Sequence, residues 1–171
     1  MAKQSLNKIT FKIDIDFDLE LDFILIGVSS SLKDYKLCHF INKNAGLNLT
    51  FGKEAHIDHN GKPKLKPVEE LDYHILHERG KDKKEHTHHY QIYRYCNENF
   101  EYEFYLVNNK SLENSFLVPE AANFDYFMLI KHYIDDEDLD LLMDRIRGIP
   151  EVMLVKEIDP TALKSKENLI F

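Results

Sequence analysis

The chain has 171 residues and a net charge of −8 at neutral pH, from 22 basic and 30 acidic side chains. Its hydrophobic fraction of 43%, with six Gly and five Pro, excludes a disordered, collagen-like or low-complexity chain. Negative charge repels the phosphates of nucleic acids and of anionic lipids, which argues against nucleic-acid and membrane partners. A length of 171 residues predicts a single domain over residues 1–171.

The expected compartment follows from the start of the chain and from the cysteines. Residues 1–8 contain no apolar signal segment, and the apolar run Phe23–Val28 is far shorter than the ~20 residues that cross a bilayer. Cys38 and Cys96 are too few for a disulfide framework. We expect a soluble cytoplasmic protein with reduced, partly buried thiols.

Apolar and polar residues alternate from Phe11 to Phe23, with acidic side chains from Asp14 to Asp22. A period of two predicts a strand with one buried face and one solvated face. The run Phe23–Val28 then predicts a strand that is covered on both faces.

A first helix is predicted after this strand. Ser31, followed by Asp34, suggests a capping box, and Gly46 is placed to end the helix before a short strand at Leu47–Phe51. The predicted apolar stripe comprises Leu32, Tyr35, Leu37, Cys38 and Ile41.

Residues 52–89 are polar and rich in His and Lys, and turn residues such as Asn60–Pro63 favour an exposed connection. We predict one strand within it, at Leu71–Leu76. Two aromatic strands follow, at Tyr90–Tyr95 and Phe100–Val107, joined by a hairpin turn. A further apolar strand is predicted at Phe124–Tyr133.

A second helix is predicted from Asp135 and Asp136, whose carboxylates suit the positive end of the helix dipole. Gly148 and Pro150 end it, before a buried final strand at Val152–Val155. Its predicted buried face comprises Leu139, Leu142, Met143 and Ile146.

The predicted order is β-α-β, then a hairpin, then β-α-β. This order favours an α+β fold, a mainly antiparallel sheet with two amphipathic helices on one face. The two outer units also look alike, because Phe23, Leu25 and Ile26 correspond to Phe127, Leu129 and Ile130. We therefore include an internal duplication as a hypothesis.

The segment Val118–Tyr126 resembles the signature of the IPExxxVDY family, a set of small uncharacterised bacterial proteins. Val118 and Phe124 stand in for the Ile and Val of that signature. Residues 25–38, 157–160 and 163–171 are also similar to the family. The resemblance implies a bacterial cytoplasmic origin and supplies no catalytic residue, and it leaves out the histidine-rich middle.

Seven of the nine histidines fall between positions 56 and 89. His74 and His77 would be neighbours on a helix, whereas His86 and His88 would share one face of a strand. Imidazole suits zinc and nickel, so these four residues are candidate metal ligands. Their spacing matches no zinc signature, and the alternative, which we favour, is a polar loop and no cofactor.

Two sets of acidic residues are candidate functional groups. The carboxylates from Asp14 to Asp22 suggest calcium ligands, but a solvated strand face explains them better, because a strand spreads its side chains along a line. Within Pro119–Tyr126, Glu120 and Asp125 are a candidate acid–base pair. The alternative is structural: Pro119 at a turn, Glu120 accepting backbone amides, and Tyr126 in the core.

The sequence contains no nucleophile elbow and no glycine-rich phosphate loop. We therefore expect a non-catalytic domain that binds a protein partner or a small ligand, and self-association is one form of this. The alternatives are a metal-binding protein that uses the histidines and, less favoured, a hydrolase or isomerase that uses Glu120 and Asp125. The binding surface is expected at the aromatic strands, through Tyr90, Tyr93, Tyr95, Tyr102 and Tyr105.

Overall fold

A computed structural model describes residues 21–51, 55–57, 63–65, 73–79, 84–97, 102–132 and 134–170, with the backbone alone at 55–57 and 63–65. The strand predicted from Phe11, and its acidic face as far as Glu20, lie outside these residues.

Six strands form one antiparallel sheet in the order β4-β5-β6-β7-β1-β8. A separate antiparallel pair is formed by β2 and β3. The strands are β1 (Phe23–Ser30), β2 (Ala55–Ile57), β3 (Pro63–Leu65), β4 (Tyr73–Arg79), β5 (Glu85–Asn97), β6 (Tyr102–Asn108), β7 (Tyr126–Lys131) and β8 (Val152–Ile158).

Two β-α-β units share the centre of the sheet. The first consists of β1, the first helix and β6, with β2–β5 inserted between that helix and β6, and the second consists of β7, the second helix and β8. Helix α1 (Asp34–Ala45) follows β1, and helix α2 (Asp136–Arg147) follows β7. Strands β1 and β7 are antiparallel neighbours, while β8, which comes after α2, pairs with the other side of β1. The order β6-β7-β1-β8 is therefore that of a split β-α-β, or ferredoxin-like, arrangement, and the predicted α+β class is confirmed.

The hypothesis of internal duplication has a simple geometric consequence. The proposed alignment of the two units matches Leu25 with Leu129. These two residues lie directly opposite each other in the β1–β7 ladder. A local two-fold axis at this pair would exchange the two units. The duplication itself stays a prediction.

Both helices lie on one face of the sheet, as predicted. Leu37, Cys38 and Ile41 of α1 pack there with the apolar face of α2 and with sheet residues such as Ile26 and Met128. All four residues predicted for the buried face of α2 are buried. On the sheet side, this core is formed by every second side chain of each strand, because successive residues of a strand point to opposite faces.

The opposite face of the sheet is covered by irregular chain. Leu25, Ile92, Val107, Phe127 and Leu129 form its sheet side. The covering side chains come from the loop at 109–125 and from the segment at 159–170. They are Leu117, Val118, Ala121, Phe124, Leu163 and Leu169.

The two helix starts differ in how well the sequence predicted them. The sequence predicted that α2 begins at Asp135 and Asp136, and in the structure Asp135 also caps the helix, since its Oδ1 accepts from the backbone N–H of Asp138 at 2.9 Å. The capping box predicted at Ser31 is wrong: α1 begins at Asp34, after Lys33, and has no side-chain cap. Gly46 ends α1 with φ of 71°, a left-handed conformation that glycine adopts without strain.

Several strand predictions are corrected. At Leu47–Phe51 the structure has one isolated bridge, between Thr50 and Arg94. Strand β4 begins at Tyr73, and residues 85–89, predicted to lie in the polar connection, form the first part of β5. Strand β8 lies at the sheet edge, so Met153 is 70% exposed where a buried strand was predicted.

Both described α-helices have 12 residues, and neither is long and apolar enough to cross a bilayer.

Candidate functional site

The segment Val118–Tyr126 crosses from the loop-covered face of the sheet to the start of α1. Pro119 is the first residue of a 3-10 turn, where its missing N–H leaves nothing unsatisfied. Phe124 packs against Gly27 of β1, and Phe127 follows in the same core. The segment therefore links the loop-covered core with the central strands.

Glu120 attaches this segment to the end of the chain. Its carboxylate accepts from the backbone N–H of Ser165 at 2.7 Å and from the Ser165 hydroxyl at 3.0 Å. Burial alone would raise the pKa of Glu120, but the hydrogen bonds from Ser165 outweigh it and hold the pKa below its usual value. A carboxyl with a lowered pKa is ionised at neutral pH, so Glu120 is poorly suited to act as a general acid.

Asp125 and Tyr126 fix the chain between β1 and α1. Asp125 Oδ2 accepts from the backbone N–H of Ser30 at 2.8 Å and from the Ser29 hydroxyl at 3.2 Å. The Tyr126 hydroxyl donates to the carbonyl of Leu32 at 2.6 Å. Because these contacts hold residues 29–32 outside the helix, α1 starts at Asp34.

Asn109 was not singled out from the sequence, and it organises the same segment. Its side chain is fully buried, its Oδ1 accepts from the N–H of Val118 at 2.9 Å, and its Nδ2 donates to the carbonyls of Ala121 and Phe124. A buried amide with such partners satisfies backbone groups that lie outside regular structure. The only sequence signal is its position directly after an apolar strand, which is too weak to identify it.

Glu120 and Asp125, the candidate acid–base pair, bind different parts of the chain. Glu120 binds Ser165, whereas Asp125 binds Ser29 and Ser30. The cleft that Asp125 lines does not include Glu120 among its walls. Both carboxylates accept from backbone amides, a role that the structural alternative gave to Glu120 alone.

An open cleft of about 540 Å³ lies where the signature segment meets the start of α1. We name it the α1 cleft. Its walls are Ser30, Ser31, Leu32, Lys33, Asp34, Asn108, Lys110, Phe116, Ala122, Phe124, Asp125 and Tyr126.

The charged groups of the α1 cleft differ in their partners. Asp34 accepts a hydrogen bond from the Tyr93 hydroxyl at 2.8 Å, and Asp125 is held by Ser30. Lys33 and Lys110 are exposed, and neither forms an ion pair with a described residue. The walls of the α1 cleft thus include two lysines that have no ion pair within the described part of the chain, beside carboxylates that are already hydrogen-bonded.

The four candidate histidines do not converge. In the β4–β5 ladder His74 lies opposite Tyr90, Leu76 opposite His88, and His77 opposite Thr87. Successive residues of a strand point to opposite faces, so His77 lies on the other face from His74, His86 and His88. His74 and His77 would be neighbours only on a helix, and β4 is a strand, so they are not paired.

His74 and His88 occupy polar positions near the loop-covered core. His74 is 8% exposed, and its Nε2 lies 2.8 Å from the carbonyl of Asn168. Burial lowers the pKa of His74 to about 4, so the ring is neutral at pH 7 and Nε2 carries the donated proton. The Nδ1 of His88 is buried and has no hydrogen-bond partner among the described residues, and its Nε2 lies 3.8 Å from Glu78 Oε2.

Over the part of the chain that the structure describes, no three His, Cys, Asp or Glu side chains are grouped so as to hold a metal ion. His59 lies outside the described residues, as does the side chain of His56.

Cys38 and Cys96 are not joined by a disulfide, and they differ in exposure. Cys38 is buried in α1 with its Sγ 3.5 Å from the carbonyl of Leu49, and burial raises its pKa to about 12. Such a group stays protonated and is a poor nucleophile. Cys96 is exposed, so the expectation that both thiols are partly buried is corrected.

The aromatic strands do not present the surface that was predicted. Tyr90 is fully buried on the loop-covered face and Tyr93 is 6% exposed on the helix face. Tyr95, Tyr102 and Tyr105 are half-buried and are divided between the same two faces. Alternation along the strands sends these rings into two cores, so they form no continuous outer stripe.

Comparison of the chain with protein-family models, with curated proteins and with solved structures gave no match. The resemblance to the IPExxxVDY family therefore stays a prediction.

Proposed function

We propose that this protein is a non-catalytic binding domain and that the α1 cleft takes a small ligand with an anionic group, a carboxylate or a phosphate. The observation that carries the proposal is the pair Lys33 and Lys110, unpaired among the described residues on the wall of a cleft of about 540 Å³. That volume is in the usual range for small-molecule sites.

The walls favour a preformed site. Asp125, Tyr126 and Asp34 are each fixed by a hydrogen bond of 2.8 Å or less, so little ordering is needed on binding. Lys33 also directly precedes α1, and the positive end of the helix dipole adds to its field. Phe116, 37% exposed, offers an apolar contact for the rest of the ligand.

Amide NMR shifts during titration with inorganic phosphate and with citrate test this proposal. We expect at least one anion to shift residues 30–34 and 108–110, and Lys33→Ala/Lys110→Ala to weaken its affinity tenfold or more, about 1.4 kcal/mol. Lys36→Ala is the matched control, since Lys36 is an exposed lysine of α1 outside the α1 cleft. An anion whose affinity ignores the double substitution, or absence of shifts in the α1 cleft at millimolar anion, contradicts the proposal.

A second candidate function is zinc or nickel binding through the histidines. The buried Nδ1 of His88, which has no partner among the described residues, and the nearby Glu78 carboxylate favour it. Calorimetric titration of the tag-free, chelator-stripped chain should give submicromolar, stoichiometric binding that His86→Ala/His88→Ala abolishes. His39→Ala, a change at an exposed histidine on α1, is the control. Weak binding that ignores the double substitution would retire this candidate.

Family and compartment belong to the same proposal. We place the chain in the IPExxxVDY family because the signature contacts two of the other similar stretches, through Asp125 with Ser30 and Glu120 with Ser165. We place it in the cytoplasm, and a count of two cysteines, too few for a disulfide framework, supports this. The net charge of −8 supports a function without nucleic-acid or membrane partners.

A further inference from the structure

The walls of the α1 cleft carry charges of both signs that do not neutralise one another. Two wall residues are lysines, Lys33 and Lys110, and two are aspartates, Asp34 and Asp125. Within the described part of the chain, none of these four side chains forms an ion pair. A carboxylate near a lysine weakens the attraction of that lysine for an anion. A ligand that suits all four groups therefore carries a positive charge as well as a negative one.

Each aspartate uses only one of its two oxygens within the described chain. Asp34 Oδ2 accepts from the Tyr93 hydroxyl at 2.8 Å, and Asp125 Oδ2 accepts from the N–H of Ser30 at 2.8 Å. Among the described residues, the Oδ1 of neither aspartate has a hydrogen-bond partner. Since both oxygens of an ionised carboxylate are acceptors, each aspartate keeps the capacity to accept from a ligand.

Asp34 and Asp125 act on the same part of the α1 cleft. Burial raises the pKa of the Tyr126 hydroxyl, and the negative charges of Asp34 and Asp125 raise it further, so both carboxylates lie near this group. The hydroxyl itself donates to the carbonyl of Leu32 at 2.6 Å and not to either aspartate. The α1 cleft thus has a negative region beside Tyr126. An ammonium group is a suitable donor for it, because hydrogen bonds between charged groups are the strong ones.

The two lysines of the α1 cleft start from fixed backbone positions. The carbonyl of Lys33 accepts from the N–H groups of Lys36 and Leu37 in the first turn of α1. Lys110 forms an antiparallel bridge with Phe116. Both lysine side chains are exposed and are not paired with the aspartates, so they are available to a negative group of the ligand.

We propose that the ligand of the α1 cleft is a zwitterion, whose carboxylate or phosphate binds Lys33 and Lys110 and whose ammonium group binds Asp34 and Asp125. This inference rests on the proposed function, because it assigns a second charge to the same ligand. A zwitterion bridges wall charges that do not pair with each other directly. It also meets a negative region that would repel a simple anion.

NMR titrations of the full chain with two matched pairs of probes test the proposal. L-glutamate and glutarate differ by one ammonium group, and so do O-phosphoethanolamine and ethyl phosphate. In each pair the amine-free probe has the greater negative charge, so lysines alone would bind it at least as tightly. We expect the amine-bearing probe of at least one pair to bind about tenfold tighter or more, the usual effect of a hydrogen bond between charged groups. The shifted amides should be those of residues 30–34 and 108–110.

Asp34→Asn/Asp125→Asn should abolish this preference, so that the amine-free probe binds as tightly as its partner or tighter. Asparagine keeps an acceptor for the two hydrogen bonds within the chain, and far-UV circular dichroism confirms that the variant is folded. Asp136→Asn/Asp140→Asn is the matched control. It removes the same charge at exposed positions of α2 outside the α1 cleft, so it should keep the preference.

The results distinguish a site for a zwitterion from a site for simple anions. If neither amine-bearing probe binds tighter than its amine-free partner, the ligand is not a zwitterion, although binding of the amine-free probes would still support the proposed function. A preference that persists in Asp34→Asn/Asp125→Asn overturns the role given to the aspartates. If no probe shifts the amides of the α1 cleft, the zwitterion and the proposed function both fail.

Discussion

At the residue scale, the polar side chains of the signature act on backbone groups. Glu120, Asp125 and Tyr126 each bind an N–H or a carbonyl of a distant segment. Asn109 does the same within the loop itself. Irregular chain has few internal partners for its backbone, and these side chains supply them.

His74 should make stability depend on pH in a defined window. Its folded pKa of about 4 lies below the ordinary value of 6.5, so its contribution is complete above pH 6.5 and is lost as the pH falls towards 4. By pH 5 the loss amounts to about 2 kcal/mol. Urea unfolding at pH 7.5 and pH 5 should show this loss in the native chain and not in His74→Gln, which cannot titrate.

The comparison of pH 7.5 with pH 5 also distinguishes the contribution of His74 to stability from that of Glu113. Burial alone would raise the pKa of Glu113, but its hydrogen bonds with His89 outweigh it and hold the pKa at about 2. The contribution of Glu113 is therefore lost only below pH 4.5, outside the range compared. Equal pH dependence in the native chain and in His74→Gln would refute the role given to His74.

Gly27 should not tolerate a side chain. An added Cβ would lie 2.7 Å from the Phe124 ring and 2.8 Å from Ile158 Cδ1, which forces the core to shift. We expect Gly27→Ala to lower the free energy of unfolding by about 1–3 kcal/mol. Gly148→Ala is the control: the nearest atom is 3.5 Å away and φ is −71°, so we expect a change within about 0.5 kcal/mol. Equal effects of the two substitutions in urea titrations would contradict this explanation.

At the element scale, the signature holds two different segments in place. Glu120 binds the turn at Ser165 on the loop-covered face, while Asp125 and Tyr126 bind the chain before α1. The start of α1 is therefore set by a neighbouring strand, and the capping box that local sequence suggested at Ser31 does not form.

Hydrogen exchange should distinguish these two roles. We expect Glu120→Ala to speed exchange at the amides of 165–170 and to leave residues 29–37 unchanged. Asp125→Ala should do the reverse, because it removes the acceptor for Ser30 N–H. Asp125→Ala leaves the part-buried amide of Ser30 without its acceptor, at a cost of about 1–3 kcal/mol. The amide of Ser165 is in an exposed contact and can bind water instead, so Glu120→Ala should cost less. If either variant loosens both segments equally, the two roles are not separate.

At the scale of the whole molecule, one sheet separates two cores and leaves β8 at its edge. Among the described residues β8 pairs with β1 alone, and Met153 and Leu154 are 70% and 42% exposed. A charged residue on an open edge discourages pairing with other chains, and Lys156 is in this position.

Removing that charge should promote aggregation. We expect Lys156→Ile to raise light scattering on storage at concentrations where the native chain stays clear. Lys164→Ile, outside the strands, is the control for the lost charge and the added apolar side chain. Similar scattering from both variants would exclude protection of the edge as the reason.

The sequence by itself determined the α+β class, the two helices, the buried face of α2 and most of the strands. These follow from local periodicity and from residues such as Asp135, whose cap depends on neighbours three positions away. The stripe predicted for α1 was right for Leu37, Cys38 and Ile41, whereas Tyr35 is exposed and Leu32 precedes the helix. The resemblance also directed attention to Glu120, Asp125 and Tyr126, and the structural alternative described the contacts of Glu120 and Tyr126, while the contact of Asp125 with Ser30 was not foreseen.

Only the tertiary structure decided the rest, because it depends on which distant residues meet. The sheet order placed β8 at an edge, the register of β4 with β5 separated His77 from His74, His86 and His88, and the two faces of the sheet divided the tyrosines. The contacts of Asn109 within its loop and the position of Lys110 on the wall of the α1 cleft arise in the same way. Periodicity specifies which side of an element is buried, whereas contacts between elements far apart in sequence decide what covers it.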